Sequence, residues 1–319
     1  MSLAPTTRKP EWLRVPAPGG DNYKKIKAIL ADRKLHTVCE EARCPNIGEC
    51  WSGGTATFML LGDVCTRGCK FCAVTTGNPR MQLDPHEPEK IADSIRGLGL
   101  RYIVLTSVDR DDLPDQGVAH FCQTVRLAKN ANPGLLVEVL TPDWRGNESL
   151  VAEMARSGAD VLAHNIETVE RLQLRVRDPR ATYAQSMRVL ELYKSEADAA
   201  GLKVLTKSSI MLGLGERDDE VFRTMRDLRA VGVRVLTFGQ YLQPTPRHLA
   251  VEEYVRPEKF EYFAREGEAM GFAYVASGPL VRSSYKAGEF YVESLLRGTH
   301  ADASNGALVP PVDVPAELA

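Results

Sequence analysis

Residues 57–72 read Thr-Phe-Met-Leu-Leu-Gly-Asp-Val-Cys-Thr-Arg-Gly-Cys-Lys-Phe-Cys, an apolar β-rich run over 57–64 that leads straight into Cys65, Cys69 and Cys72. Further β-rich runs follow at 102–108, 135–140, 160–165, 203–208 and 233–238. Between them, Ile91/Ile95/Leu98, Val118/Phe121/Cys122/Val125, Tyr183/Met187/Leu190 and Val221/Met225/Leu228 recur at spacings of three, four or seven, the period of one helical face. Leu150 and Met154 mark a shorter helix. Six βα units therefore span 57–256. Alternating strands and helices imply a parallel sheet with right-handed crossovers, and six units fall short of the eight that close a full barrel. A doubly wound sheet fits the rhythm too, but a cysteine triplet at a strand's C-terminal end is where barrel chemistry collects. The expected fold is α/β, an incomplete (β/α)6 TIM-like barrel.

Residues 1–56 lack this rhythm and hold three cysteines, several Gly and Pro, and one modest helical stretch at 23–33; they read as an N-terminal extension folded over the barrel. Pro257 opens a helix continued by Phe260 and Ala264, and 272–276 reads as another short strand, within a C-terminal segment at 257–298. Residues 299–319, rich in Ala, Pro and small polar residues, read as a disordered tail.

The chain has 319 residues, enough for a sizeable core, and its 40 basic against 42 acidic side chains give a net charge of −2. That balance provides no global attraction to nucleic acid or an anionic membrane. No stretch approaches the roughly 18 apolar residues of a transmembrane helix, and the opening MSLAPTTRKPEWL has no apolar signal core. A cytoplasmic location is expected. Six of the seven cysteines crowd into 39–72, which in a reducing compartment points to metal ligation.

Three thiolates within Cys65-Thr-Arg-Gly-Cys69-Lys-Phe-Cys72 can wrap one face of an iron–sulfur cluster, with Gly68 easing the turn. A cubane has four iron corners, so one is left for a substrate or cofactor. A second triplet, Cys39, Cys44 and Cys50, can again supply three ligands. Structural zinc sites generally pair two CxxC or CxxC/HxxxH units, and here the one CxxC is Cys69 to Cys72. Cys122 lies on an apolar helical stripe and reads as a core thiol.

The CxxxCxxC spacing, with Phe71 before its last cysteine, resembles the radical S-adenosylmethionine (SAM) superfamily. Both triplets together make the resemblance specific to the lipoyl synthase family. It is carried also by residues 41–46, by 106–113, by His164-Asn165-Ile-Glu167-Thr168, by Gly239-Gln-Tyr-Leu-Gln243-Pro and by Arg282-Ser-Ser-Tyr285, and runs from about residue 10 to 296. The resemblance implies two [4Fe–4S] clusters and SAM as cofactors. Cys65, Cys69 and Cys72 would hold the radical-generating cluster. Cys39, Cys44, Cys50 and a serine, Ser283 or Ser284 with Ser284 preferred, would hold the sulfur-donating one. The implied reaction inserts two sulfur atoms at carbons 6 and 8 of a protein-bound octanoyl-lysine. Implied partners are octanoylated carriers, the E2 lipoyl domain of 2-oxoacid dehydrogenases and the glycine cleavage H protein, and a ferredoxin- or flavodoxin-type electron donor. Such chemistry needs cofactors, because a saturated C–H is beyond any side-chain base.

By the same resemblance Asn165 and Glu167, after the fourth strand, and Lys207, Ser208 and Met211, around the end of the fifth, are the candidates for holding SAM; from the residues alone His164-Asn165 reads equally as loop polarity or a helix cap. Gln240 and Gln243 follow the sixth strand and are candidate cavity residues. The run Asp109, Asp111, Asp112 reads as a solvated loop, and Arg14, Lys24, Lys25, Lys27, Arg33 and Lys34 as a solvated basic face that an acidic carrier could meet. Two other functions compete. A sulfur-inserting enzyme of the biotin synthase type lacks the upstream triplet, and an electron-transfer protein would favour fully ligated clusters.

Overall fold

The computed structural model describes residues 9–15, 18–41, 44–52 and 57–284. The expected tail and Tyr285 lie outside these residues. In chain order come α1 (Asp21–Arg33), β1 (His36–Thr37), α2 (Val38–Glu41), α3 (Ile47–Ser52), β2 (Thr57–Leu60), β3 (Val64–Cys65), β4 (Thr75–Thr76), α4 (Glu87–Leu98) and β5 (Tyr102–Ser107). They are followed by α5 (Val118–Ala131), β6 (Leu136–Leu140), α6 (Glu148–Ala155), β7 (Val161–Ala163), α7 (Gln173–Val176), α8 (Tyr183–Ala199), β8 (Leu205–Leu212), α9 (Asp218–Ala230), β9 (Val235–Gln240), α10 (Pro257–Ala269) and β10 (Tyr274–Gly278).

The main sheet runs β1-β2-β5-β6-β7-β8-β9-β10. The pairings from β2 to β10 are all parallel, and β1 alone is antiparallel, with His36 opposite Met59. The six βα units appear as expected, and β10 extends them by a further parallel strand in register with β9. Local chemistry sets the helix ends. Pro88 and Pro257 start α4 and α10, Asn147 and Thr182 cap α6 and α8 with their side-chain oxygens, and Gly99 ends α4 in the left-handed region.

Alternation along the strands sorts two environments. Ile103, Leu105, Val137, Val139 and Leu162 face the helices in one core cluster, while Leu236 and Phe238 pack with α9 and α10 in another. Tyr102, Val104, Val161 and Val235 form a third cluster inside the barrel. Above them the inward positions become polar and line a cavity. Cys122 is buried in the outer core, as its stripe predicts.

Two strand ends differ from the sequence reading. The first strand stops at Leu60, because Leu61 and Gly62 both take positive φ, and Cys65 belongs to a short separate ladder with β4. The fifth does not end at Ser208 but continues as β8 to Leu212, which puts Lys207 and Ser208 in mid-strand.

Candidate active site

The cysteine loop at 65–72 is fastened on every side. The β3–β4 ladder closes its base, and Thr66 N–H donates to Asp109 O at 3.0 Å. Lys70 N–H donates to Val176 O at 2.9 Å, and Gly68 N–H to Asp178 Oδ2 at 2.9 Å. Backbone N–H groups also reach the sulfurs: Asp178 N to Cys69 Sγ at 3.3 Å, and Asp109 N to Cys65 Sγ at 3.4 Å.

Beneath the loop lies Arg67, its side chain only 2% exposed. It forks onto Asp111 with two bonds of 3.0 Å, meets Asp143 at 2.7 Å and lies 3.3 Å from Asp109. Arg180 joins the same network through Asp111 and Asp178. The reading of Asp109, Asp111 and Asp112 as a solvated run is thus corrected: Asp111 neutralises Arg67 and Arg180, and Asp112 holds Arg110 at 2.8 Å. The partners sit far away in sequence, so the run alone hides them. Arg180 and the Gly68 N–H hold the Asp178 carboxyl well below its usual range. Burial pushes that of Asp109 up to about 6.

The upstream triplet is brought alongside by α2 and α3. Cys39 lies in α2, Cys50 in α3, and Cys44 between them donates its N–H to Cys39 O at 3.0 Å. Asn46 Nδ2 donates to Leu280 O at 2.6 Å and ties this region to the segment carrying Ser283 and Ser284. That segment crosses the end of β9 at Gly239, where a Cβ would stand 2.1 Å from the Val281 carbonyl oxygen. Only glycine permits so close a crossing.

Both triplets, Ser283 and Ser284 line one cavity of about 510 Å3. Asn165, Glu167 and Met211 line it too, as do Gln240 and Gln243. Glu167 holds a left-handed φ of 66°, pinned by its N–H on Ser209 O and by Met211 N–H on its own carbonyl, while Asn165 Nδ2 donates to its carboxylate at 3.1 Å. Gln240 spends its amide on backbone groups of Leu212, Glu253 and Val255.

Lys207 and Ser208 do not join this lining. Lys207 Nζ sits 2.7 and 2.8 Å from the two oxygens of Glu138, which also accepts from Tyr102 OH, forming a buried floor below the cavity. Ser208 accepts from Ile166 N–H on the helix side. Both departures follow from β8 running four residues further than its sequence suggests.

Arg177, missed in the sequence, also lines the cavity; it donates to Ser186 Oγ at 2.8 Å, and Ser186 lies 2.9 Å from His164 Nε2. The Thr141 carbonyl 2.9 Å from Nδ1 can only accept, so Nδ1 carries the proton and Ser186 OH donates to Nε2. Burial and then Arg177 lower the His164 pKa to about 4.

The donor set fits iron–sulfur clusters. No disulfide joins any of the seven cysteines. Burial pushes the Cys65 and Cys69 thiols up to about 12, and Cys39 and Cys72 up to about 11. Thiols this desolvated ionise only opposite a cation, which iron supplies. The buried Trp51 indole N–H has no nitrogen or oxygen partner, and its hydrogen-bonding influence falls on Cys39 sulfur. Among the described residues no three His, Cys, Asp or Glu side chains converge on a single ion, nor need they when each thiolate binds a different iron of a cubane.

The Radical SAM superfamily profile matches residues 59–228, and that of the N-terminal domain of lipoyl synthase matches 3–44. The chain is 56% identical to the mitochondrial lipoyl synthase of Picea sitchensis, over 94% of this chain and 78% of the relative. It is 59% identical to the chloroplastic lipoyl synthase of Chlamydomonas reinhardtii, over 95% and 70%. The chain belongs to the lipoyl synthase family. It is a radical SAM enzyme that inserts sulfur, with [4Fe–4S] clusters and SAM as cofactors. Among solved structures, methylornithine synthase (PylB) aligns with a TM-score of 0.51 at 13% identity, over 87% of this chain and 92% of that one. SuiB of Streptococcus suis bound to S-adenosylmethionine aligns at 0.54 and 9%, over 72% and 52%. These two share the fold.

The comparisons overturn one expectation. Lipoyl synthase relatives of this chain carry mitochondrial and chloroplastic names, so the cytoplasmic assignment does not stand. Among the described residues no helix is long and apolar enough to cross a membrane.

Proposed function

We propose that Cys65, Cys69 and Cys72 hold the cluster that binds SAM, and that Cys39, Cys44, Cys50 and Ser284 hold the one that gives up sulfur. The observation that carries this reading is the single cavity shared by both triplets and the serine pair. When bound, the clusters and SAM supply the radical and the sulfur that turn C–H into C–S at carbons 6 and 8 of an octanoyl-lysine. The chain's own side chains do the rest. Arg177 offers a buried cation to the methionyl carboxylate, Asn165 and Glu167 face its amine, and Met211 gives the adenine an apolar neighbour. Val38, Met59, Val108 and Leu140 give the alkyl chain a dry wall between the triplets. Lys207 and Ser208 act from behind, by fixing β8.

In this division of labour the extension at 1–56 carries the sulfur-donor ligands, the barrel at 57–256 carries SAM, and the segment at 257–298 brings the serine. The octanoyl chain arrives on an E2 lipoyl domain or a glycine cleavage H protein, and electrons come from a ferredoxin- or flavodoxin-type donor.

Anaerobic reconstitution of wild type and of the two triple Cys→Ala variants tests the assignment. Each variant should keep the iron and sulfide of one cluster. With SAM, reductant and octanoyl-lysine peptide, the Cys39/Cys44/Cys50 variant should still release 5′-deoxyadenosine but form no thiolated product. Unchanged spectra in both Ser283→Ala and Ser284→Ala would remove the serine ligand.

A further inference from the structure

A second recess, of about 400 Å3 and more open to solvent, lies against the same cysteine loop, lined by Gly68, Lys70, Ala73, Val74, Arg247 and His248 among others. Cys69 and Cys72 border both this recess and the shared cavity, so the loop is the partition between them. The segment at 245–249 is fixed to that partition at two points. Leu249 N–H donates to Lys70 O at 3.2 Å, and His248 Nε2–H donates to Cys72 O at 2.9 Å. A carbonyl only accepts, so Nε2 bears the proton and His248 Nδ1 accepts from Thr245 OH at 2.8 Å. Gln243 Nε2 holds the His248 carbonyl at 2.8 Å.

This rigid surface presents two cations. Lys70 and Arg247 are exposed; among the described residues no Asp or Glu lines the recess and no side chain holds either cation in an ion pair. Two positive charges on the rim of a recess, with no acidic partner among the described residues, favour encounter with an acidic protein surface.

We propose that this recess is the docking site of a small acidic one-electron carrier protein, with its carboxylates on Lys70 and Arg247 and its redox centre against the Cys69–Cys72 edge. This rests on the reading of Cys65, Cys69 and Cys72 as ligands of the SAM-binding cluster. One electron passes across the partition; the carrier is oxidised and the cluster reduced by one, and no bond forms or breaks. An octanoyl carrier domain is the less suited occupant, because its chain must enter the shared cavity on the other side of the loop.

The experiment uses the reconstituted full-length protein and follows cluster bleaching in a stopped-flow instrument. The reductants are a reduced plant-type [2Fe–2S] ferredoxin and an uncharged deazaflavin radical. Reversing both charges (Lys70→Glu with Arg247→Glu) should slow reduction by ferredoxin at low salt by about tenfold or more and flatten its salt dependence. Arg247→Glu alone should leave the deazaflavin rate unchanged. Carbodiimide should cross-link Lys70 to a ferredoxin carboxylate, and Lys70→Gln should abolish that product. Unchanged ferredoxin kinetics in the double variant would overturn the proposal. So would a deazaflavin rate that falls equally, since the effect would then lie in the cluster, or ferredoxin cross-links confined to other lysines. An octanoylated lipoyl domain that shields Lys70 from carbodiimide, with ferredoxin rates unaffected, would assign the recess to that carrier instead. Failure of the underlying reading has a separate signature: Cys65/Cys69/Cys72→Ala would retain the full iron content of wild type.

Discussion

Asn46 donates its side-chain amide to the Leu280 carbonyl across 2.6 Å, joining the upstream cysteine region to the serine segment 234 positions away. Asn46 is 2% exposed, so the bond is shielded from water. Asn46→Ala should cost about 1 kcal/mol through the bond itself. Its larger effect should fall on assembly, because Ser283 and Ser284 would lose their register against Cys39, Cys44 and Cys50. Iron and sulfide per chain should fall toward the content of one cluster, with SAM cleavage retained. Iron quantification on the reconstituted variant checks this, and full iron content would refute it.

Gly239→Ala attacks the same segment from the barrel side. The new methyl would meet the Val281 carbonyl oxygen at 2.1 Å, with Arg282 Nη1 at 3.3 Å, so the segment must lift from β9. Overpacking of this kind costs about 1–3 kcal/mol. Thermal unfolding should show the loss, together with lower iron content; a variant of wild-type stability and iron content would show that the segment moves freely.

The barrel and both cysteine sets were legible because their signals are local. A period of 3.6 or 2 and a cysteine spacing survive whatever packs around them. What escaped depends on distant partners. Lys207 reads as a cavity-facing residue at the end of the fifth strand because an ammonium does not enter a core alone, yet Glu138, 69 positions away, neutralises it inside the barrel. The aspartates at 109–112 look solvated because Arg67 lies beyond the reach of any local pattern. Arg177 and Asp178 stand in the run Arg-Asp-Pro-Arg, whose two arginines and one aspartate give no period, and their contacts appear only once α7 sits against the cysteine loop. Their one available signal was charge crowding next to a proline.

The Lys207–Glu138 pair leads to an asymmetric prediction. Removing one member strands the other in an environment where Glu138 is 1% exposed, and breaking a buried pair costs about 3–5 kcal/mol. Lys207→Met should therefore destabilise strongly, whereas Lys207→Met combined with Glu138→Met should recover much of the loss, limited by the Tyr102 hydroxyl that donates to Glu138 at 2.7 Å. Urea unfolding of the single and double variants decides. Equal destabilisation by both would mean that packing, not stranded charge, sets the cost.

His164 sets a pH dependence. Its folded pKa of about 4 lies below the ordinary 6.5, so the unfolded chain takes up the proton first as pH falls. The stability held by neutral His164 is complete above 6.5 and is lost progressively from 6.5 toward 4, amounting to about 2 kcal/mol between pH 7 and pH 5. His164→Gln should flatten this limb of the stability profile. Urea midpoints at pH 7, 6 and 5 for both proteins provide the check, and parallel profiles would remove His164 as the cause.

Asp178 acts on the cysteine loop twice: its carboxylate accepts from Gly68 N–H at 2.9 Å, and its own N–H points at Cys69 Sγ from 3.3 Å. If Cys69 is a cluster ligand as proposed, an N–H donor to its sulfur favours the more negative, reduced state and so raises the potential of that cluster. Asp178→Ala keeps the backbone N–H but removes the carboxylate that Arg180 and Gly68 hold, so the donor loses its fixed aim. Both Asp178→Ala and Asp178→Asn remove the carboxylate charge, so the donor's aim is read from their difference: the midpoint potential of the cluster proposed at Cys65, Cys69 and Cys72 should be more negative in Asp178→Ala than in Asp178→Asn, whose amide oxygen can still accept from Gly68. Redox titration followed by electron paramagnetic resonance measures this directly and does not depend on turnover. Equal potentials in Asp178→Ala and Asp178→Asn would mean that the sulfur keeps its donor without the clamp, and would confine Asp178 to holding the loop's shape.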